Sequence, residues 1–160
     1  LILFNSMRIL FEHWRKFLSE AKASYSGILK LTPSSKLISE LSNLELPEGA
    51  VPLPAEKLHV TLVHQSVLKP YRKQLKGVEL PEAPEPKPVR MPDGSLELQE
   101  ASDDPKRSWV VFLENQEEVQ GYVNKILQGL DAAPNPEPDR RYHISVANLT
   151  GNASDSVRYP

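Results

Sequence analysis

The sequence predicts an α+β fold made of two similar halves that face one another across a central cleft. Two observations predict it. The pattern Leu58-His59-Val60-Thr61-Leu62-Val63 returns as Tyr142-His143-Ile144-Ser145-Val146-Ala147. Each copy also follows the same succession of an apolar strand, an amphipathic helix and a proline-rich loop. In a strand, residues i and i+2 project from one face. His59 and Thr61 therefore share one side, with Leu58, Val60 and Leu62 on the other. His143 and Ser145 repeat the arrangement in front of Ile144 and Val146.

From Met7 to about Lys22, the apolar residues Leu10, Phe11, Trp14, Phe17, Leu18 and Ala21 recur at helical spacing, opposite Glu12, Arg15, Lys16 and Glu20. This amphipathic helix packs on its own domain in the simpler reading; in the other it docks a partner. Leu1 to Phe4 lacks the basic leader and cleavage site of a signal peptide, so residues 1–6 read as an extension upstream of a natural start at Met7. Residues 1–22 are thus an N-terminal extension and helix, and residues 23–160 a single domain.

Tyr25 to Leu31 reads as a strand. Pro33, after the potential cap Thr32, opens a helix with Leu37, Ile38, Leu41 and Leu44 on its apolar face. The loop Pro47 to Pro54 leads to the first motif. Lys69 to Lys76 suits a short helix and Val78 to Leu80 a short strand. The four prolines between Pro81 and Pro88 rule out a central strand, because proline lacks the ladder donor. Met91 to Ser95 is a turn joining 87–91 to 95–99 as a hairpin, and 101–106 is polar and exposed. Ser108 to Leu113 is a strong strand. Asn115 to Leu130 is a helix facing inward through Val119, Tyr122, Val123, Ile126 and Leu127. Pro134 to Pro138 then leads through Asp139, Arg140 and Arg141 to the second motif.

The chain has 160 residues, 39% hydrophobic and 25% charged, which suits one soluble domain with a proper core. It contains no cysteine, which excludes disulfides, thiolate zinc sites and cysteine nucleophiles and fits a reducing compartment such as the cytoplasm. No stretch approaches the roughly 20 apolar residues of a membrane span. A formal charge of −2 supplies no global field for long nucleic acid, so a phosphate-bearing partner would be small and gripped locally.

The paired His59-x-Thr61 and His143-x-Ser145 motifs, on apolar strands with matching elements before each, resemble the 2H phosphoesterase superfamily over roughly residues 25–150. The resemblance implies a bilobal fold with two pseudo-symmetric lobes of antiparallel sheet, helices outside and a central cleft. The run from His143 to Asn152 looks most like the phage anti-CBASS branch, whose enzymes degrade the cyclic oligonucleotide messengers of bacterial immunity. This implies a small cyclic nucleotide substrate in the host cytoplasm. It also makes Tyr25 and Trp109 candidates for stacking on nucleobases. Because the chain stops soon after the second motif, any longer C-terminal lid of relatives is expected to be absent.

The residue types fit this chemistry. Cleaving a phosphodiester takes a proton from a nucleophile and gives one to the leaving oxygen. Histidine, with an ordinary pKa near 6.5, supplies both forms at neutral pH. Thr61 and Ser145 would donate to the non-bridging oxygens, where charge gathers in the transition state. The site reads as free of metal and cofactor: His59 and His64, five apart, would point to opposite faces of one strand. His64 is expected at the strand-end surface and His13 on a helix face. Lys57, Arg140 and Arg141 are expected to be solvated or bound elsewhere. Two rivals stand beside this reading. One is an RNA-end enzyme acting on 2′,3′-cyclic phosphates; the other is a non-catalytic protein that sequesters a nucleotide or belongs to a virion.

Overall fold

The computed structural model describes residues 20–158 and 160. The expected helix from Met7, with His13, lies outside these residues except for its last turn, and there the structure differs. Ala21 is buried in the core and Lys22 opens a strand, so the sheet domain begins before residue 23.

The chain runs through β1 (Lys22–Tyr25), β2 (Leu29–Thr32), α1 (Ser35–Ser42), β3 (Val51–Pro52), β4 (Val60–Val63), α2 (Gln65–Leu68), α3 (Arg72–Leu75), β5 (Gln99–Asp103), β6 (Lys106–Phe112), α4 (Gln116–Gly129) and β7 (His143–Asn148). The strands form one seven-stranded antiparallel sheet in the order β1-β2-β4-β7-β6-β5, with β3 added to β7. The order is a palindrome of the chain halves. Each half contributes a hairpin (β1–β2 or β5–β6), a helix and then a motif strand, and the two motif strands meet at the centre.

Local chemistry explains the elements. The expected strand from Tyr25 to Leu31 is instead a hairpin, because Gly27 takes φ +88° and turns the chain back on itself. The cap of α1 is Ser34 rather than Thr32; its hydroxyl accepts from the Leu37 amide at 3.3 Å. All five inward residues expected for α4 are buried. Each such side chain contributes roughly 1.5–3 kcal/mol, and a helix of this length is marginal alone. Packing, more than helical propensity, therefore holds α4.

The polar stretch after Leu98 forms β5, which among the described residues is an edge strand paired to β6. It bears charge where an open edge needs it. Residues 78–80 form no strand. The expected hairpin around Met91 is present as a short ladder, with the Met91 amide donating to the Ser95 carbonyl at 2.7 Å, the Glu97 amide to the Val89 carbonyl at 3.1 Å and the bridge Arg90↔Leu96 between them.

Leu29, Leu31, Val60, Leu62, Val111 and Ile144 lie in the core cluster beneath one face of the sheet. The other face, at the β4–β7 seam, carries the polar motif residues.

Candidate active site

Val60 pairs directly with Ile144. Carrying that antiparallel register one step each way brings His59 toward Ser145 and Thr61 toward His143. The two histidines are then diagonal neighbours, roughly 7–8 Å apart along the backbone, which leaves room for a tetrahedral group between the rings. All four motif side chains line one cavity of about 280 Å³.

Each imidazole is held in the same way. His59 Nδ1 lies 2.7 Å from the Lys57 carbonyl, and His143 Nδ1 lies 2.9 Å from the Arg141 carbonyl. A carbonyl only accepts, so Nδ1 carries the hydrogen in both rings and Nε2 is left as the proton-exchanging atom. His59 Nε2 contacts the Thr61 hydroxyl at 3.1 Å. The Phe112 ring meets His143 edge-on, with centroids 5.9 Å apart. Gln116, in the first turn of α4, clamps the entry to the second motif. Its amide donates to the carbonyls of Leu113 and Tyr142 at 2.9 and 2.7 Å, and its oxygen accepts from the Tyr142 amide at 2.7 Å.

Burial holds both histidines below the ordinary imidazole range, opposed by their carbonyl partners. Positive charge on Lys30, Lys57 and Arg140 pushes His59 further down, while Arg140, His59 and Arg141 act on His143. The two rings are thus close enough for a proton on His59 to disfavour one on His143.

Arg140 and Lys57 line the cavity, contrary to the sequence expectation. The Arg140 side chain is only 5% exposed and donates from Nη1 to Glu137 at 3.0 Å. Strand alternation does not govern it, because β7 starts only at His143. Arg141 is exposed and stacks on Phe112, with Cζ 3.8 Å from the ring centroid, as expected of a residue bound elsewhere.

His64 also lines the cavity. The opposite-face argument fails because β4 ends at Val63 and His64 already caps α2. Its Nδ1 accepts from the Ser66 amide at 3.1 Å and from Arg158 Nη2 at 2.8 Å. Burial and Arg158 lower its pKa. Among the described residues, no three His, Asp or Glu side chains gather as a metal-holding group.

Neither aromatic candidate reaches this cavity. Trp109 is 2% exposed and lies in the core. Alternation along β6 supplies the reason, and the register of β7 accommodates it. Trp109 pairs with Ala147 and Val110 with Ser145, so β7 spends one extra residue there. Trp109 shares the core face of β6 with Val111, two residues on, while the bulge turns Ala147 to that same face, and Arg107 covers the indole with Cζ 5.1 Å from its centroid. Tyr25 sits on β1 at the sheet edge and lines a different hollow, with Arg72 and Lys76.

One wall of the cavity comes from residues after the second motif, including Ala153, Ser154, Ser156 and Arg158. Asn148, fully buried, organises this wall. Its oxygen accepts from the amides of Thr150 and Gly151 at 3.0 and 2.6 Å, and its amide donates to the Asn152 carbonyl and Ser156 hydroxyl at 2.6 and 3.1 Å. Gly151 takes φ +80°, and a Cβ there would meet Val51 Cγ1 at 2.8 Å. The Val157 amide donates to buried Ser108 at 2.6 Å. Sequence reasoning missed this wall; the Asn148-x-Thr150-Gly151-Asn152 run, rich in turn-forming residues, is the signal that could have found it. Asn148→Ala strands several of these groups and should cost about 3 kcal/mol, read as a lower midpoint in urea unfolding; an unchanged midpoint would refute the role given to Asn148.

Comparisons with known proteins bring no further identity: no family model, curated protein or solved structure matches the chain.

Proposed function

We propose that the protein is a metal-independent phosphodiesterase of the bilobal 2H type that cleaves phosphodiester bonds in small cyclic or oligomeric nucleotides. Its activity would be of the anti-CBASS kind, with the host cytoplasm as its place of action. One observation carries the reading: two imidazoles, each oriented by the carbonyl two residues before it, open on one cation-lined cavity.

One neutral imidazole takes a proton at Nε2 from water or a ribose 2′-hydroxyl. The oxygen so activated forms a bond to phosphorus as the bond to the leaving oxygen breaks. The second imidazole, protonated, gives its Nε2 proton to that leaving oxygen. Ser145 and Thr61 donate to the non-bridging oxygens, and Arg140 supplies positive charge at the cavity wall. Each proton transfer is worth roughly 10² to 10⁴ in rate. Every step uses the chain's own side chains, so turnover should persist in EDTA.

The pH dependence follows from the lowered histidines. The base must be neutral and the acid protonated, so the active fraction peaks midway between their two pKa values. Both lie below the ordinary value near 6.5, so kcat/KM should follow a bell with its maximum on the acid side of 6.5. A bound phosphate anion favours both protonated forms, so the kcat profile should peak at higher pH. A kcat/KM maximum well above 7 would contradict the assignment.

A chromatographic assay on cyclic di- and trinucleotides and 2′,3′-cyclic phosphates tests the substrate. Cleavage of the cyclic oligonucleotides is the expected result. Cleavage of 2′,3′-cyclic phosphates alone would move the enzyme to RNA ends. Tight binding without product would make it a sequestering protein.

A further inference from the structure

The cavity holds more positive charge than one phosphodiester requires. Lys57, Lys106, Arg140 and Arg158 line it with three histidines, and among the described residues no Asp or Glu does, although the chain carries a net −2. Glu137 balances Arg140. Lys57, Lys106 and Arg158 are divided between two ends. Lys57 stands at the histidine seam, whereas Arg158 belongs to the wall built after the second motif and Lys106, at the start of β6, reaches that wall through Ser154.

That wall has the parts of an anion site. Lys106 Nζ rests 3.4 Å from the Ser154 carbonyl, which holds the ammonium beside the segment. Arg158 is fixed on the rim by its 2.8 Å contact with His64. The Ser156 oxygen accepts from buried Asn148, so its own hydroxyl proton, which meets no acceptor among the described residues, can donate into the cavity. The Ser154 hydroxyl is instead spent on Asn152, at 2.9 Å. A segment anchored through Asn148 and Ser108 presents these groups on a rigid support, which limits the entropy lost on binding.

We propose that Lys106, Ser156 and Arg158 form a second phosphate subsite beside the one between His59 and His143, so that the preferred substrate carries another phosphate next to the scissile one. The inference rests on the phosphodiesterase reading and narrows it to nucleotides of at least two phosphates, against single terminal cyclic phosphates.

The test compares a dinucleoside monophosphate with the same dinucleotide bearing a 5′-phosphate. Wild type should prefer the second by about tenfold or more in kcat/KM, the scale of one charge-assisted hydrogen bond. Lys106→Met, which keeps the apolar stem, should erase most of that preference through KM. Lys106→Arg should keep it, and Ser156→Ala should reduce it. No preference in wild type, or an undiminished preference in both Lys106→Met and Ser156→Ala, would overturn the proposal. If wild type cleaves neither compound, cleavage of a cyclic dinucleotide decides the phosphodiesterase reading separately, and calorimetric binding of the same pair decides the subsite alone. Tighter binding of the 5′-phosphorylated compound that weakens in Lys106→Met sustains it; equal binding removes it.

Discussion

Replacing His59 or His143 with alanine is expected to lower kcat by about 10²–10⁴ while leaving the fold intact. Both rings are only partly buried and their hydrogen bonds go to carbonyls that water can also serve. Thermal unfolding should therefore shift little. The double variant should be hardly slower than either single one, because a base without its acid partner gains nothing. Steady-state rates on a cyclic dinucleotide, with melting curves of the same preparations, make the check. Near-wild-type turnover in either single variant would end the acid–base assignment.

Arg140→Ala should lower kcat by about 10²–10³, the scale of losing one preorganised charge stabiliser. It should also move the pH optimum. Arg140 pushes down the pKa of both His59 and His143. Its removal raises both, so the kcat/KM bell should slide toward higher pH. Arg140→Lys retains the charge and should hold the optimum near its wild-type position, though with a weaker grip than the planar guanidinium. The comparison matters because the alanine variant also strips Glu137 of its ion pair, and the Glu137 side chain is only 13% exposed. A loss of activity with an unmoved optimum in Arg140→Ala would assign Arg140 to the fold rather than to the chemistry.

Much of this could be read from residues in order. Alternation placed His59 with Thr61 and His143 with Ser145, since side-chain direction along a strand is a local property. The five inward positions of α4 followed from helical periodicity for the same reason. The His64 and Arg140 expectations failed where regular structure stopped. Both used strand alternation, yet one residue caps a helix and the other belongs to a loop. Tyr25 illustrates a further limit, because a glycine at positive φ turned one expected strand into a hairpin and carried the tyrosine to the sheet edge.

By itself, then, the sequence determined the duplicated motifs, the faces they present and the helix that backs the second of them. Short-range geometry and apolar pattern are enough for those. Only the tertiary structure decided that the motif strands are neighbours, that the face of β6 bearing Trp109 and Val111 is the core face, and that residues 153–158 wall the cavity. These depend on register between strands distant in the chain and on the buried hydrogen bonds of Asn148, and neither is encoded in the spacing of nearby residues.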